Sequence, residues 1–227
     1  MPSSVQHDQG LLIVLEGPEG AGKTTQLRLL ADWLGGRGRD VVAVREPGGT
    51  AVGDEIRRVL LDPASDIVPR AEALLFMASR AQLVEREIRP ALAGGSIVLL
   101  DRYFLATYAY QGIGRGLPAE MLRAANAMAT DGLVPDLTLL LAVPVAIGLE
   151  RAANRGERDR MERADLAFHA RVAHAYDTFV TGEWQSAHPE CGPIVNLDAT
   201  GSQIEVFDRV LATLAARWPE IFEKVSR

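Results

Sequence analysis

Cysteine and histidine are scarce in this sequence of 227 residues. The single cysteine, Cys191, excludes a framework of intrachain disulfides. One cysteine and 4 histidines also argue against a zinc site. No activating neighbour is evident beside Cys191, so we expect an unreactive thiol.

Long apolar runs are absent as well. Residues 1–10 are polar and lack the apolar core of a signal peptide, and we expect them to form a disordered tail. No apolar run approaches the length of a membrane span. The formal net charge of −6 argues against a nucleic-acid partner. These absences together predict a cytoplasmic protein that binds neither membrane nor nucleic acid.

Short apolar runs alternate with segments of helical periodicity from residue 11 onward. The apolar runs predict β-strands at residues 11–15, 41–44, 97–100, 137–143 and 194–197. The periodic segments predict helices at residues 26–34, 52–61, 71–92, 119–129, 145–153, 168–179 and 203–218. Loops bearing glycine and proline are expected at 112–118 and 182–193. This alternation is typical of a single α/β domain, here residues 11–227, with helices on both faces of a parallel sheet.

A glycine-rich segment joins the first predicted strand to the first predicted helix. It reads Gly17-Pro18-Glu19-Gly20-Ala21-Gly22-Lys23-Thr24 and matches the phosphate-binding pattern G-x-x-x-x-G-K-[ST]. Its glycines let backbone N–H groups converge on phosphate oxygens, and the helix N-terminus adds positive potential. Lys23 adds a mobile positive charge, and the Thr24 hydroxyl is a ligand for Mg²⁺. The segment predicts a nucleoside-triphosphate site.

Charged residues follow two other predicted strands, where the strands of a parallel sheet reach the same edge. Asp101 could hold the Mg²⁺ of the nucleotide through water, or it could cap the next helix. Arg102 could bind a phosphate, or form a surface salt bridge. Arg45 is a second candidate partner for phosphate or carboxylate, although the Pro-Gly-Gly that follows Glu46 could equally mark an ordinary turn.

Two further groups of side chains could contact a second substrate. Phe76 and Arg80 lie four residues apart on the predicted helix 71–92, hence on one face. The main apolar stripe of that helix comprises Leu74, Met77, Ala81, Val84 and Ile88. Phe76 lies roughly 120° away from the stripe, so the pair could read a planar base, or it could pack in a second interface. Thr107, Tyr110 and Gln111 could supply hydroxyl and amide contacts, or could be structural.

The interval 151–163 is unusually rich in charge. Its arginines are Arg151, Arg155, Arg158, Arg160 and Arg163. Such a run could be a solvated helix face with internal ion pairs. Alternatively, it is a lid that closes over the phosphates and presents an arginine to the transferred group. The glycine at position 156 favours a hinge, and hence the lid.

With these motifs in order, the chain resembles the bacterial thymidylate kinases over nearly its whole length. The resemblance rests on the motifs at 16–25, 45–50, 101–103, 109–112 and 135–138, together with Phe76 and Arg80. It implies the five-stranded parallel sheet of the P-loop nucleotide kinases, flanked by helices. It also implies a homodimer and the Mg²⁺-dependent transfer of the ATP γ-phosphate to dTMP, a step towards dTTP for DNA synthesis.

The resemblance also implies roles for individual residues. Arg102 would clamp the dTMP phosphate, Phe76 would stack on thymine, and Arg80 would reach a ring carbonyl. Tyr110 would lie against the deoxyribose, while Glu19 would lie near the 3′-hydroxyl and the reacting phosphates. Further dTMP contacts would come from Arg45, Thr107 and Gln111, and Mg²⁺ would be held by Thr24 and Asp101. ATP would be bound by Gly17, Pro18, Glu19, Gly20, Ala21, Gly22, Lys23, Thr24 and Thr25, with Asp198 and Ala199 at the adenine rim.

The chain also departs from the family pattern. Ala106 stands where many relatives have serine, so a contact from that hydroxyl is missing. Gly20 stands where one branch of the family carries a basic residue in the phosphate-binding loop. A catalytic arginine besides Lys23 and Arg102 is therefore expected from the lid, from Arg155 or Arg160, with Arg158 in reserve.

Two other functions compete with this interpretation. Another nucleotide or deoxynucleoside kinase could share the same fold and the same phosphate-binding loop. A regulatory NTPase is the alternative from a different class. The arginines at 45, 80 and 102, and the absence of a guanine-reading Asn-Lys-x-Asp element, count against the regulatory NTPase.

Overall fold

A central five-stranded sheet organises the protein in the computed structural model, which describes residues 10–153 and 159–223. The strands are β1 Leu11–Glu16, β2 Val41–Arg45, β3 Ile97–Asp101, β4 Leu137–Ala142 and β5 Ile194–Asp198. Their order is β2-β3-β1-β4-β5, and every neighbouring pair is parallel. The predicted five-stranded parallel sheet is confirmed.

Four strands continue one residue beyond their predicted ends, to Glu16, Arg45, Asp101 and Asp198. All four additional residues are charged, so the apolar pattern stops one position before the ladder does. Arg45 lies opposite Asp101 in the register, for example. The carboxyl edge of the sheet therefore carries its charged side chains on the strands themselves.

Helices cover both faces of the sheet. They are α1 Lys23–Gly35, α2 Ala51–Leu61, α3 Pro69–Leu83, α4 Arg89–Ala93, α5 Phe104–Thr107, α6 Ala119–Thr130, α7 Val145–Ala153, α8 Leu166–Phe179, α9 Gly182–Ala187, α10 Gln203–Arg217 and α11 Pro219–Phe222. Wider π-helical turns at Val84–Ile88 and Tyr108–Gly114 continue α3 and α5. None of the helices in the described ranges is both long and apolar enough to cross a membrane.

The hydrophobic core lies in two layers, because alternate residues of β1 point to opposite faces. Leu12 and Val14 pack into the layer that includes residues of α3, α5 and α8. Ile13 and Leu15 pack into the layer formed with α1 and α10. Cys191 is buried, and burial raises the pKa of its thiol, as the expectation of an unreactive cysteine requires.

Three of the sequence predictions about helices and loops are wrong, one of them in part. Leu74, predicted in the buried stripe of its helix, is 61% exposed, whereas Glu72 and Arg80 on the same helix are buried. Hydrophobic periodicity misses the buried face of this helix, because Glu72 and Arg80 on that face are charged and are paired in the fold. The predicted loop 182–193 contains α9 and a 3₁₀ turn, and part of the predicted loop 112–118 belongs to the π-helical turn.

Candidate active site

The phosphate-binding loop connects β1 to α1 at the carboxyl edge of the sheet. Gly17, Gly20 and Gly22 adopt φ angles of 140°, 72° and 89°, which residues with a side chain rarely adopt. The loop therefore curls as its glycine spacing predicts, and α1 begins directly at Lys23. The unpaired N–H groups of the first helical turn are suited to hold an anion at this position.

Lys23 is buried, and its ammonium group is held by the loop. The Nζ atom donates hydrogen bonds to the carbonyl oxygens of Gly17 (3.0 Å) and Pro18 (2.8 Å). Burial, and secondarily the positive charge of Arg102, lower the pKa of Lys23 to about 8. A phosphate at this position would favour the charged form and raise that pKa.

Thr24 and Asp101 meet where α1 begins and β3 ends. The Thr24 hydroxyl donates a hydrogen bond of 2.6 Å to Asp101 Oδ2. Asp101 does not cap the next helix, since Tyr103 is the N-cap residue of α5. The Thr24 hydroxyl and the Asp101 carboxylate are two hard oxygen donors. They fit Mg²⁺, which usually takes one or two protein ligands and completes its shell with phosphate and water. A cage of three or more acidic, His or Cys ligands is not found in the described ranges.

Arg102 lies between the phosphate-binding loop and the helical segment that follows β3. Its guanidinium donates to the Gly17 carbonyl (3.3 Å), to Glu19 (3.3 Å) and to the hydroxyls of Tyr110 (3.2 Å) and Tyr176 (3.4 Å). Arg102 does form a salt bridge, with Glu19, but both side chains are largely buried and the contacts hold Arg102 within the cleft. Its φ of 71° is uncommon for a residue other than glycine and costs on the order of 1–3 kcal/mol.

A buried carboxylate, Glu16, stabilises the backbone next to Arg102. Glu16 accepts hydrogen bonds from the backbone N–H groups of Tyr103 (2.7 Å) and Ala106 (3.0 Å) and from the Tyr176 hydroxyl (3.3 Å). Sequence reasoning did not assign Glu16 a role. The signal was present, since it is a charged residue at the end of an otherwise apolar strand.

Arg80 forms a buried ion pair with Glu46 beneath the cleft. Its Nη2 atom lies 2.6 Å from Glu46 Oε2 and also donates to the Tyr103 carbonyl (2.7 Å). Its Nε donates to Glu46 as well, and its Nη1 donates to Thr107 and Asn126. A base carbonyl would share a guanidinium that already has four protein acceptors. The contact of Arg80 with the base therefore stays a prediction.

One cleft brings together most of the residues predicted from the sequence. They are Glu19, Gly20, Gly22, Lys23, Thr24, Thr25, Arg45, Phe76, Arg80, Asp101, Arg102, Thr107, Tyr110 and Gln111. Ala106 also lines this cleft. Asp198 and Ala199 lie outside it, at the end of β5. Arg151 donates to the Ala199 carbonyl (3.2 Å), so the predicted adenine rim contacts α7.

The cleft also contains residues that sequence reasoning missed, notably Arg57, Asp159 and Glu162. Burial, and secondarily the positive charge of nearby Arg45, lower the pKa of Arg57. Helical spacing could have found Arg57, because it follows the buried Gly53 by four positions and precedes the buried Leu60 by three.

The charged interval is only partly described. Arg155 and Arg158 lie outside the described residues. Arg160 is not on a solvated helix face, since its Nη1 lies 2.8 Å from buried Glu72 and its Nε donates to the Leu60 carbonyl (2.7 Å). The catalytic role predicted for Arg160 would require it to leave Glu72.

Helix α7 approaches the phosphate-binding loop very closely. A Cβ atom added at Gly20 would overlap the backbone of Gly148, and one added at Gly148 would overlap the Glu19 carbonyl. A side chain at position 20 therefore has no space while α7 occupies this position. The close approach of α7 to the loop therefore requires glycine at positions 20 and 148.

Together, the parallel sheet, the phosphate-binding loop and the arginine-lined cleft beside it define a P-loop nucleotide kinase. The sequence model of the family described as "Thymidylate kinase" matches residues 15–188. The chain is 49% identical over 209 residues to the thymidylate kinase of Deinococcus radiodurans. The matched region covers 92% of this chain and 98% of that protein. It is 46% identical over 219 residues to the thymidylate kinase of Desulfosudis oleivorans, and this match covers 93% of this chain and 99% of that protein. The chain belongs to the thymidylate kinase family.

Proposed function

We propose that this protein transfers the γ-phosphoryl group of ATP to the 5′-phosphate of dTMP in the presence of Mg²⁺, in the cytoplasm, and so supplies dTDP for dTTP synthesis. The observation that carries the proposal is the single cleft that joins Lys23 and Thr24 to Phe76 and Gln111. A shared cleft of this kind supports the binding of a triphosphate beside a planar base. The curated relatives bear the same name as the family.

The cationic groups of the cleft act on the phosphates. The loop N–H groups and Lys23 would hold the donor phosphates and stabilise the charge that develops on the transferred group. Arg102 contacts both the loop and Tyr110, which supports a role in holding the acceptor phosphate in line with the donor. Thr24 and Asp101 would hold Mg²⁺, which neutralises charge on the β- and γ-phosphates.

An acceptor panel tests this function directly. We expect ADP to form rapidly with ATP, Mg²⁺ and dTMP, and much more slowly with dCMP, dAMP, dGMP or no acceptor. Identification of dTDP by chromatography completes the assay. ADP formation that is independent of any acceptor would favour the regulatory NTPase, and equal rates with several bases would favour a nucleotide kinase of different specificity.

Phe76 is half-buried on α3 and lines the cleft. If it stacks on the acceptor base, Phe76→Ala should raise KM for dTMP about tenfold or more and leave KM for ATP unchanged, since base–aromatic stacking contributes about 1–3 kcal/mol. Initial rates measured against each substrate give both constants. Ile204→Ala, at an exposed position on α10, is the control. An equal rise in both KM values would instead indicate a packing role.

Tyr110 is buried, and its hydroxyl is held by Arg102. We expect a strong preference for dTMP over ribothymidine 5′-monophosphate, because the ring crowds the 2′ position. Tyr110→Ala should narrow the ratio of the two kcat/KM values by about tenfold, whereas Tyr110→Phe, which keeps the ring, should preserve it. Comparable kcat/KM values for the two sugars in the wild type would contradict this role.

We also propose a homodimer formed through the outer surface of α2, α3 and α6, which pack side by side. Large apolar side chains exposed on these helices are Val52, Val59, Leu74, Met121 and Met128. Light scattering should give the mass of two chains, and Leu74→Glu should give the mass of one. Ile204→Glu, an exposed position on α10, is the control. A wild-type protein that is monomeric at the same concentration would contradict the proposal.

A further inference from the structure

Glu72 is a fully buried carboxylate that the cleft residues described above do not include. It lies in the first turn of α3 and is 0% exposed. Its Oε1 accepts from Gln111 Nε2 (2.9 Å) and from Arg115 Nε (3.3 Å). Its Oε2 accepts from Arg115 Nη2 (3.2 Å) and lies 2.8 Å from Arg160 Nη1. The carboxylate thus joins α3, the π-helical turn after α5, and the segment after residue 158.

These contacts hold the carboxylate in one orientation. A buried carboxylate is stable only with positive partners, and Glu72 has two guanidinium groups. Arg160 is itself fixed, because its backbone N–H donates to the Leu61 carbonyl (3.0 Å) and its Nε to the Leu60 carbonyl. With Oε2 held by both arginines, Oε1 remains directed at Gln111.

The fixed carboxylate determines which end of the Gln111 amide faces it. Gln111 lines the cleft, is buried, and lies 2.9 Å from Glu72 Oε1 through its Nε2 atom. The opposite orientation would place the amide oxygen at that distance from a carboxylate oxygen, with two acceptors facing each other. Glu72 therefore accepts a hydrogen bond from the Nε2 group of Gln111, and the carbonyl oxygen of Gln111 is left for other partners.

We propose that Glu72 is a positioning residue that sets the base specificity of the acceptor site through Gln111, an inference that rests on the proposed function. A Gln111 carbonyl can accept the N3–H of a thymine or uracil ring. Cytosine presents an acceptor at N3, so the same carbonyl repels it and leaves two acceptors without a donor. A site built around a directed hydrogen bond discriminates more strongly than one built on shape alone.

The test compares the ratio of kcat/KM for dTMP to that for dCMP in matched variants. Glu72→Gln can present either a donor or an acceptor to Gln111, so the amide is free to turn, and the ratio should fall at least about tenfold. Glu72→Asp keeps the charge but withdraws it by one methylene, and should also lower the ratio. Glu183→Gln, which removes an exposed carboxylate on α9, is the control and should leave the ratio unchanged. Thermal unfolding establishes that each variant is folded.

A double-mutant cycle separates positioning from a general structural effect. In a Gln111→Ala background, Glu72→Gln should change the ratio by less than about twofold, because the group that Glu72 orients is gone. Gln111→Ala alone should lower the ratio, whether or not the Glu72 variants fold, and an unchanged ratio overturns the proposal. So does a Glu72 variant that keeps the wild-type ratio, or a wild type that uses both substrates equally. A wild type inactive on dTMP would instead refute the proposed function.

Discussion

Replacing Lys23 by methionine is expected to lower kcat by at least about 100-fold while the protein stays folded. Methionine approximates the length of the side chain but removes the charge that would stabilise the transferred phosphoryl group. The lowered pKa indicates that the ammonium costs folding free energy at neutral pH, so its removal should not unfold the chain. Steady-state kinetics measures the change in kcat, and thermal unfolding establishes that the variant is folded.

The pH dependence of this site follows from the same pKa. The folded value of about 8 lies below the unfolded value of 10.5, so the unfolded chain binds more protons between these limits. The contribution of Lys23 to stability therefore rises with pH across that window, and is least favourable below pH 8. ATP binding favours the ammonium form of Lys23. Above pH 8 the protein should therefore take up a proton when ATP binds, and the affinity for ATP should fall by up to about tenfold per pH unit.

Calorimetric titration in buffers of different ionisation enthalpy detects that proton uptake. Lys23→Met should lack it, and Lys224→Met, at the other lysine of the chain, should retain it. A Lys23→Met protein with kcat within a few-fold of the wild type would contradict the assignment of the phosphate-binding loop. ATP binding that is independent of pH above 8 would contradict only the protonation argument.

The second large effect is expected in the charged interval. Arg155→Ala or Arg158→Ala should lower kcat, by on the order of 10³-fold for a true arginine finger, and raise KM for dTMP much less. Such an arginine acts mainly in the transition state, and would add to the charges of Lys23 and Arg102. Because Arg160 is held by Glu72, we expect Arg160→Ala to lower kcat less and stability more.

Single-turnover rates and thermal unfolding distinguish these variants, with Arg86→Ala on the exposed surface after α3 as the control. If all three replacements leave kcat unchanged, the interval contains no catalytic arginine, and ion pairs worth under about 1 kcal/mol each explain its composition. If only Arg160→Ala lowers kcat strongly, Arg160 must leave Glu72 in the reacting complex.

Local sequence signals are sufficient to predict the strands and the phosphate-binding loop around which the site is built. The strands were predicted to within one residue at each end, because buried parallel strands require short apolar runs bounded by polar residues. The phosphate-binding loop was predicted because its glycine spacing has a specific backbone consequence, which the positive φ angles of Gly17, Gly20 and Gly22 match. The position of Asp101 beside Thr24 followed from the shared edge of the sheet.

The sequence by itself thus determined the fold class, the nucleotide loop and the family. Only the tertiary structure decided that Arg80 pairs with Glu46, that Glu16 supports the backbone beside Arg102, and that Glu72 holds both Gln111 and Arg160. A buried charged residue has no periodic signature, since its stability depends on partners that the fold brings from distant positions, such as Glu16 and Ala106 at a separation of 90 residues. Hydrophobic patterning therefore identifies the elements, while the pairing of buried charges depends on how those elements pack.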